Sequence, residues 1–224
     1  MLSDITRGQI DELALARRDR LVICDVDEVV VHFTRALESY LGERDLWLDT
    51  SSFALNGNIR RQSGNDALPA SEVGKLIDDF FITRTRHLEP IDGAIDSLLT
   101  IAGHADIVLL TNLPHHSAEA RRENLRGHGL DFPVITNSGP KGPAIKTLAE
   151  MVSGPVVFID DSPSFIASAY EHVPHVRLVH FLHDERFARH LTPLDYVSLR
   201  TDSWDEARPH IITELGTVAA GNSL

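Results

Sequence analysis

The chain has 224 residues, 42% hydrophobic and 24% charged, the balance of a folded globular protein rather than a disordered one. Lysine and arginine total 21 against 33 aspartate and glutamate, and the net charge of −12 opposes non-specific binding to nucleic acid or an anionic membrane. No apolar run approaches the roughly 20 residues of a membrane helix, and the N-terminal stretch, with Asp4, Asp11 and Glu12, lacks the apolar core of a secretory signal. The single cysteine, Cys24, excludes an internal disulfide and suits a reducing compartment. These features lead us to expect a soluble cytoplasmic protein with no nucleic-acid or membrane partner; they leave its oligomeric state open.

In chain order, Leu21 to Cys24, Asp106 to Leu110, Pro133 to Ile135, Val156 to Ile159 and Val176 to Leu182 are short, β-branched runs. Polar residues close the first four: Asp25, Thr111, Thr136-Asn137 and Asp160-Asp161. Such runs are expected of parallel strands buried on both faces. Segments of helical spacing separate them, including Ile91, Ile95, Leu98 and Leu99, and Ala144, Ile145, Leu148 and Met151. Pro90, Pro114, Pro143 and Pro163 stand near the starts of such segments, where proline costs a helix little. The alternation predicts an α/β fold with a Rossmann-like, doubly wound parallel sheet.

The first and second strands are much further apart than one crossover requires. Residues 33–88 are surplus, with a Gly/Asn/Ser-rich loop from Leu55 to Asn65 and an apolar-periodic stretch through Val73, Leu76, Ile77, Phe80 and Phe81. The expected division is a core of 1–32 and 89–224, with 33–88 a small helical insertion over the carboxyl edge of the sheet. A possible strand from Tyr196 to Leu199 and a helix near Trp204 to Leu215 close the chain.

Ligands of open α/β sheets bind just beyond the carboxyl ends of the strands. Asp25-x-Asp27, Thr111-Asn112 and Asp160-Asp161 close strands there, and Lys141 stands at a helix start. Clustered carboxylates repel unless a cation binds between them, and all-oxygen ligands suit a hard ion such as Mg²⁺. One aspartate is then free to attack, another to move protons, and the threonine and lysine to hold an anion. Each feature alone is commonplace, as an Asp-x-Asp after a strand is often a turn or helix cap. Their joint occurrence in this order is not.

In that order LVICDVDEVV, DIVLLTN, GPKGPAIK and VVFIDDSP resemble the four motifs of the haloacid dehalogenase-like superfamily of hydrolases. The resemblance spans roughly 20–182, with 33–88 where the family places its first type of cap. It implies Mg²⁺-dependent phosphoryl transfer through an aspartyl-phosphate, with Asp25 as nucleophile and Asp27 as general acid and base. It implies a metal held by the Asp25 carboxylate, the Asp27 backbone carbonyl and a carboxylate of Asp160 or Asp161. Thr111, the following backbone N–H groups with Asn112, and Lys141 would bind the phosphoryl oxygens; Lys141 is preferred to Lys146 because it lies at the helix start. Glu28 departs from the glycine common in the family's phosphatases, and Val29 from threonine.

Gly127-x-Gly129 and Gly139-x-x-Gly142 lack dinucleotide-loop and Walker-loop spacing, and the histidines lack a zinc pattern. Arg60 and Arg84 in the insertion are candidates to recognise a remote anion of the substrate, and His115 and His116 to rim the pocket. The reading is a phosphatase acting on a small soluble phosphomonoester. A nucleotidase is the first expectation because D-x-D-x-V before His32-Phe33 resembles deoxyribonucleotidase-type members. The alternatives are a phosphosugar phosphatase, a phosphomutase, or a weakly catalytic ligand-binding or interaction protein.

Overall fold

The computed structural model describes residues 2–17 and 19–216. It opens with a helix not anticipated from the sequence, α1 (Asp4–Asp11), whose first turn is capped by Ser3 Oγ accepting from the Thr6 N–H at 3.1 Å. β1 (Leu21–Cys24) follows. After the insertion the chain runs through α4 (Ala94–Ala102), β4 (Asp106–Thr111), α5 (Ala118–Gly127), β5 (Val134–Thr136), α6 (Gly142–Ala149) and β6 (Val156–Asp160). It ends through α7 (Pro163–His172), β7 (Arg177–Phe181), α8 (Glu185–Ala188), β8 (Leu199–Thr201) and α9 (Trp204–Gly216).

β1, β4, β5, β6, β7 and β8 form a 6-stranded sheet in the order β5-β4-β1-β6-β7-β8, with every pairing parallel. Side chains alternate across it. Leu21 and Ile23 pack with Ile10, Ile145, Leu148 and Ile166 from α1, α6 and α7. Val22 and Cys24 pack with Leu98, Ile101, Ile211 and Leu215 from α4 and α9. Burial on both faces is why the strands read as continuous apolar runs. The sixth strand begins at Leu199, where the expected segment ends; it pairs Leu199 with Val179 and Thr201 with Phe181.

The insertion contains α2 (Phe33–Gly42), β2 (Leu46–Leu48), β3 (Ile59–Arg61) and α3 (Ala70–Arg84). It is less purely helical than expected, because β2 and β3 pair antiparallel with Trp47 opposite Arg60. The chain leaves and re-enters the core through two adjacent extended stretches. Ile91 N–H donates to Val30 O and His32 N–H to Glu89 O, each at 2.9 Å, and Val31 bridges Pro90. Pro90 thus lies in this tie rather than at a helix start, whereas Pro143 and Pro163 stand in the first turns of α6 and α7. Phe33, Phe80 and Leu88 join the insertion to the same apolar cluster that covers the α4/α9 face of the sheet. Among the described residues no helix is long and apolar enough to cross a membrane.

Candidate active site

β1 lies between β4 and β6, and the chain crosses from one side of it to the other between β5 and β6. The carboxyl ends of these strands therefore meet at the topological switch point, where an open sheet leaves a crevice. Asp25 follows β1 and stays in register, its N–H donating to Ile159 O at 2.9 Å. Asp160 closes β6 and Thr111 closes β4.

Lys141, at the N-terminus of α6, reaches under this edge and is fully buried. Its Nζ lies 2.6 Å from Asp25 Oδ1 and 2.7 Å from Asp160 Oδ2. Asp160 Oδ1 accepts the Ser162 N–H at 2.9 Å. Burial pushes the Asp25 carboxyl up to about 7 against the downward pull of Lys141, with Asp160 and Asp27 adding to the rise. Burial also raises Asp160. The Asp161 carboxyl is driven well up by burial and then by the charges of Asp160, Asp25 and Glu28. Burial alone would lower Lys141, but the Asp160 and Asp25 carboxylates outweigh it and hold the ammonium above its ordinary range.

Asp25, Asp160 and Asp161 each offer a carboxylate oxygen within 4.8 Å of the others. Three carboxylates face one ammonium, and no described residue donates a hydrogen bond to the Asp161 carboxylate. An all-oxygen set with excess negative charge fits a hard divalent cation.

Asp27 sits two residues on, half-buried, and its carboxylate is held from both sides. Arg121 on α5 makes an ion pair with Oδ1, and Thr111 Oγ1 donates to Oδ2 at 3.4 Å. Arg121 is fully buried, with its Nε and Nη1 lacking partners among the described residues. It is not among the residues that the sequence motifs nominate. The available signal was its place on the apolar face of α5, four residues before buried Leu125.

Glu28 occupies the position where the resemblance leads one to expect glycine, and it has a φ of 61°. That left-handed conformation favours glycine. A tight turn imposes it, with Val30 and Val31 N–H groups both donating to Val26 O. The Glu28 side chain turns inward and accepts the Thr34 N–H at 2.5 Å, in the first turn of α2. Burial pushes its carboxyl up to about 7. Trp204 Nε1 donates to Val29 O at 2.8 Å, fixing the loop from the α9 side.

A cavity of about 440 Å³ opens over Asp25, Asp27 and Asp161, between the sheet edge and the insertion. That volume falls in the usual range of small-molecule sites, roughly 300–1,000 Å³. Phe33, Leu48, Phe53 and Phe81 supply its insertion side and Leu182 and Phe187 its core side. Asn112 also lines it, with its Nδ2 on Gly139 O at 2.9 Å and its Oδ1 accepting from Asn137 Nδ2 at 2.9 Å.

The structure thus brings together Asp25, Asp27, Thr111, Asn112, Lys141, Asp160 and Asp161. Lys146 is exposed on α6, away from this group. It does not bring the insertion arginines to the cavity. Arg60 pairs with Asp49 at 3.1 Å and Arg84 with Glu43 at 2.5 Å, and neither lines the cavity. His115 and His116 are likewise outside: His115 Nδ1 bonds Thr136 Oγ1 at 2.6 Å, and His116 lies 3.4 Å from Asp78.

No sequence family and no curated protein matches the chain. Solved structures do. A HAD-family hydrolase from Deinococcus radiodurans R1 with bound phosphate and sodium is similar at a TM-score of 0.59 and 18% identity, over 91% of this chain and 99% of that one. The HAD-hydrolase YfnB of Bacillus subtilis bound to magnesium is similar at 0.56 and 15%, over 87% and 99%. A protein assigned as a phosphoglycolate phosphatase from Lactobacillus plantarum is similar at 0.58 and 13%, over 85% and 98%. Dehalogenase structures match as well. The chain has the fold of the haloacid dehalogenase-like hydrolases.

Proposed function

We propose that this chain is a Mg²⁺-dependent phosphatase acting on a small soluble phosphomonoester through an aspartyl-phosphate, with 33–88 as its cap. The observation that carries the reading is the buried Lys141 bridge between Asp25 and Asp160, beside an Asp161 carboxylate that pairs with no described lysine or arginine. This arrangement leaves one carboxylate aimed as a nucleophile and room for a dication. The bound phosphate and magnesium of two structural neighbours accord with it.

In this reading Asp25, Asp160 or Asp161, and the Asp27 backbone carbonyl would hold Mg²⁺, which would supply the charge neutralisation that lets a phosphoryl group approach the carboxylates. Lys141 keeps Asp25 oriented, and its ammonium would offset the charge of a phosphoryl group brought to that carboxylate. Asp25 attacks phosphorus while the bond to the alcohol oxygen breaks, and Asp27 gives that oxygen its proton. Asp27 then takes a proton from the water that attacks phosphorus, and inorganic phosphate leaves with Asp25 restored. Arg121 and Thr111 position Asp27 for both transfers. The second aspartate favours ester hydrolysis over dehalogenation, because departing chloride needs no proton. The buried lone Cys24 accords with a reducing, cytoplasmic setting.

The test is phosphate release from nucleoside monophosphates, sugar phosphates and aryl phosphates, with Mg²⁺ or with EDTA, beside Asp25→Asn. Release that requires both Mg²⁺ and Asp25 supports the reading. Halide release from haloacids without phosphate release would replace it with dehalogenation. Ligand binding without turnover would favour an interaction role.

A further inference from the structure

The cavity over Asp25 has its carboxylates gathered at the floor, with mostly apolar side chains beyond it. Its far walls are the aromatic and aliphatic side chains of Phe33, Leu48, Phe53, Phe81, Leu182 and Phe187. Among the described residues that line it there is no lysine or arginine. The acidic side chains beyond the three at its floor are Glu28 and Asp184, which repel a second anion. His183 is the lining's basic ring, and it packs on His32 with centroids 5.0 Å apart. Arg186 follows Asp184 on α8, but its guanidinium is already engaged. It binds both Glu38 oxygens at 2.6 and 3.1 Å and both Asp184 oxygens at 3.0 and 2.7 Å.

An anionic substituent in this space would lose its water without gaining a counter-charge, whereas an apolar group would gain burial. We infer that the cavity selects phosphomonoesters of an uncharged, apolar alcohol, aryl or branched, and disfavours substrates that carry a second anion. This rests on the phosphatase reading for the position of the phosphoryl group, and it replaces the expectation that insertion arginines bind a remote anion. Phe53 is the natural point to reverse the preference. It lies in an exposed loop of the insertion and meets Phe187 edge-on at 5.4 Å across the cavity rim.

The experiment uses the full chain with Mg²⁺ and pairs phenyl phosphate with 4-carboxyphenyl phosphate. Binding of phenylphosphonate and its 4-carboxy derivative is followed in parallel by calorimetry. The expected result is a kcat/KM at least about tenfold higher for the uncharged ester, tighter binding of the uncharged phosphonate, and a narrowing of both gaps in Phe53→Arg. Equal or better use of the carboxylated compounds overturns the inference and leaves the phosphatase reading in place. Turnover of neither ester, with phenylphosphonate still preferred, removes the phosphatase reading and sustains the selectivity. Binding of neither phosphonate without turnover overturns both.

Discussion

Replacing Lys141 with methionine keeps most of the side-chain volume and removes the one ammonium among three carboxylates. The Nζ contacts at 2.6 and 2.7 Å are both buried, so Asp25 and Asp160 lose their counter-charge together. Breaking a buried ion pair from one side costs about 3–5 kcal/mol, a large part of a typical stability of about 5–15 kcal/mol. The loss depends on pH in a defined direction. Asp25 has its folded pKa raised from 3.8 to about 7, so its own contribution to stability is fully present below 3.8 and is lost as pH rises through about 7. Without Lys141 that carboxyl rises further and the loss deepens. Urea unfolding followed by circular dichroism should therefore show Lys141→Met weakened by about 3–5 kcal/mol at pH 8. The gap should shrink towards pH 5 and also on adding Mg²⁺ at pH 8. A loss under about 1 kcal/mol at pH 8, unchanged by pH and Mg²⁺, would refute the electrostatic role assigned to Lys141.

Other positions test the supports around the site. A Cβ on Gly142 would lie 2.3 Å from the Ser168 carbonyl and 2.7 Å from its Oγ, so Gly142→Ala must push α6 from α7. Unfolding should register about 1–3 kcal/mol of overpacking, and any catalysis should fall because Lys141 moves with the helix start. At Glu28 the φ of 61° reverses the usual order, in which alanine is more stable than glycine by about 0.4–1 kcal/mol. Both substitutions lose the Thr34 contact, so Glu28→Gly should be the more stable by about 1 kcal/mol in thermal or urea unfolding. His32 has its pKa lowered to about 4, by burial first and then by Arg35 and His183. Its contribution is present above about 6.5 and is lost as pH falls through about 4. The stability difference between wild type and His32→Gln should therefore shift against the wild type over that interval, and a flat difference would contradict the burial of the ring.

Much of this architecture was legible because both faces of the sheet are covered. Continuous runs such as Val156 to Ile159 announced buried strands, and each ended in a polar residue at the edge where the chemistry gathers. β8 was displaced in the sequence reading because it is a short edge strand, of whose residues only Thr201 is buried. β2 and β3 escaped notice because three-residue strands carry too little periodicity, and their pairing is set by tertiary packing. Asp25, Asp27, Thr111, Lys141 and Asp160 could be nominated from their places at strand and helix ends. What was not legible was which charges would find partners. Lys141 proved to be a buried bridge, Arg60 and Arg84 turned to Asp49 and Glu43, and Arg121 reached Asp27. Local spacing does not distinguish an arginine aimed into a cleft from one satisfied on the surface.

The central claim is that Asp25 takes up the phosphoryl group. The direct measurement is rapid acid quench of the Mg²⁺-loaded protein during turnover of phenyl phosphate, followed by peptide mass spectrometry. The account requires the mass of one phosphoryl group on Asp25 in the peptide that spans β1, and none in Asp25→Asn. Sustained phosphate release with that peptide unmodified, or a phosphoryl group on another residue, would contradict it.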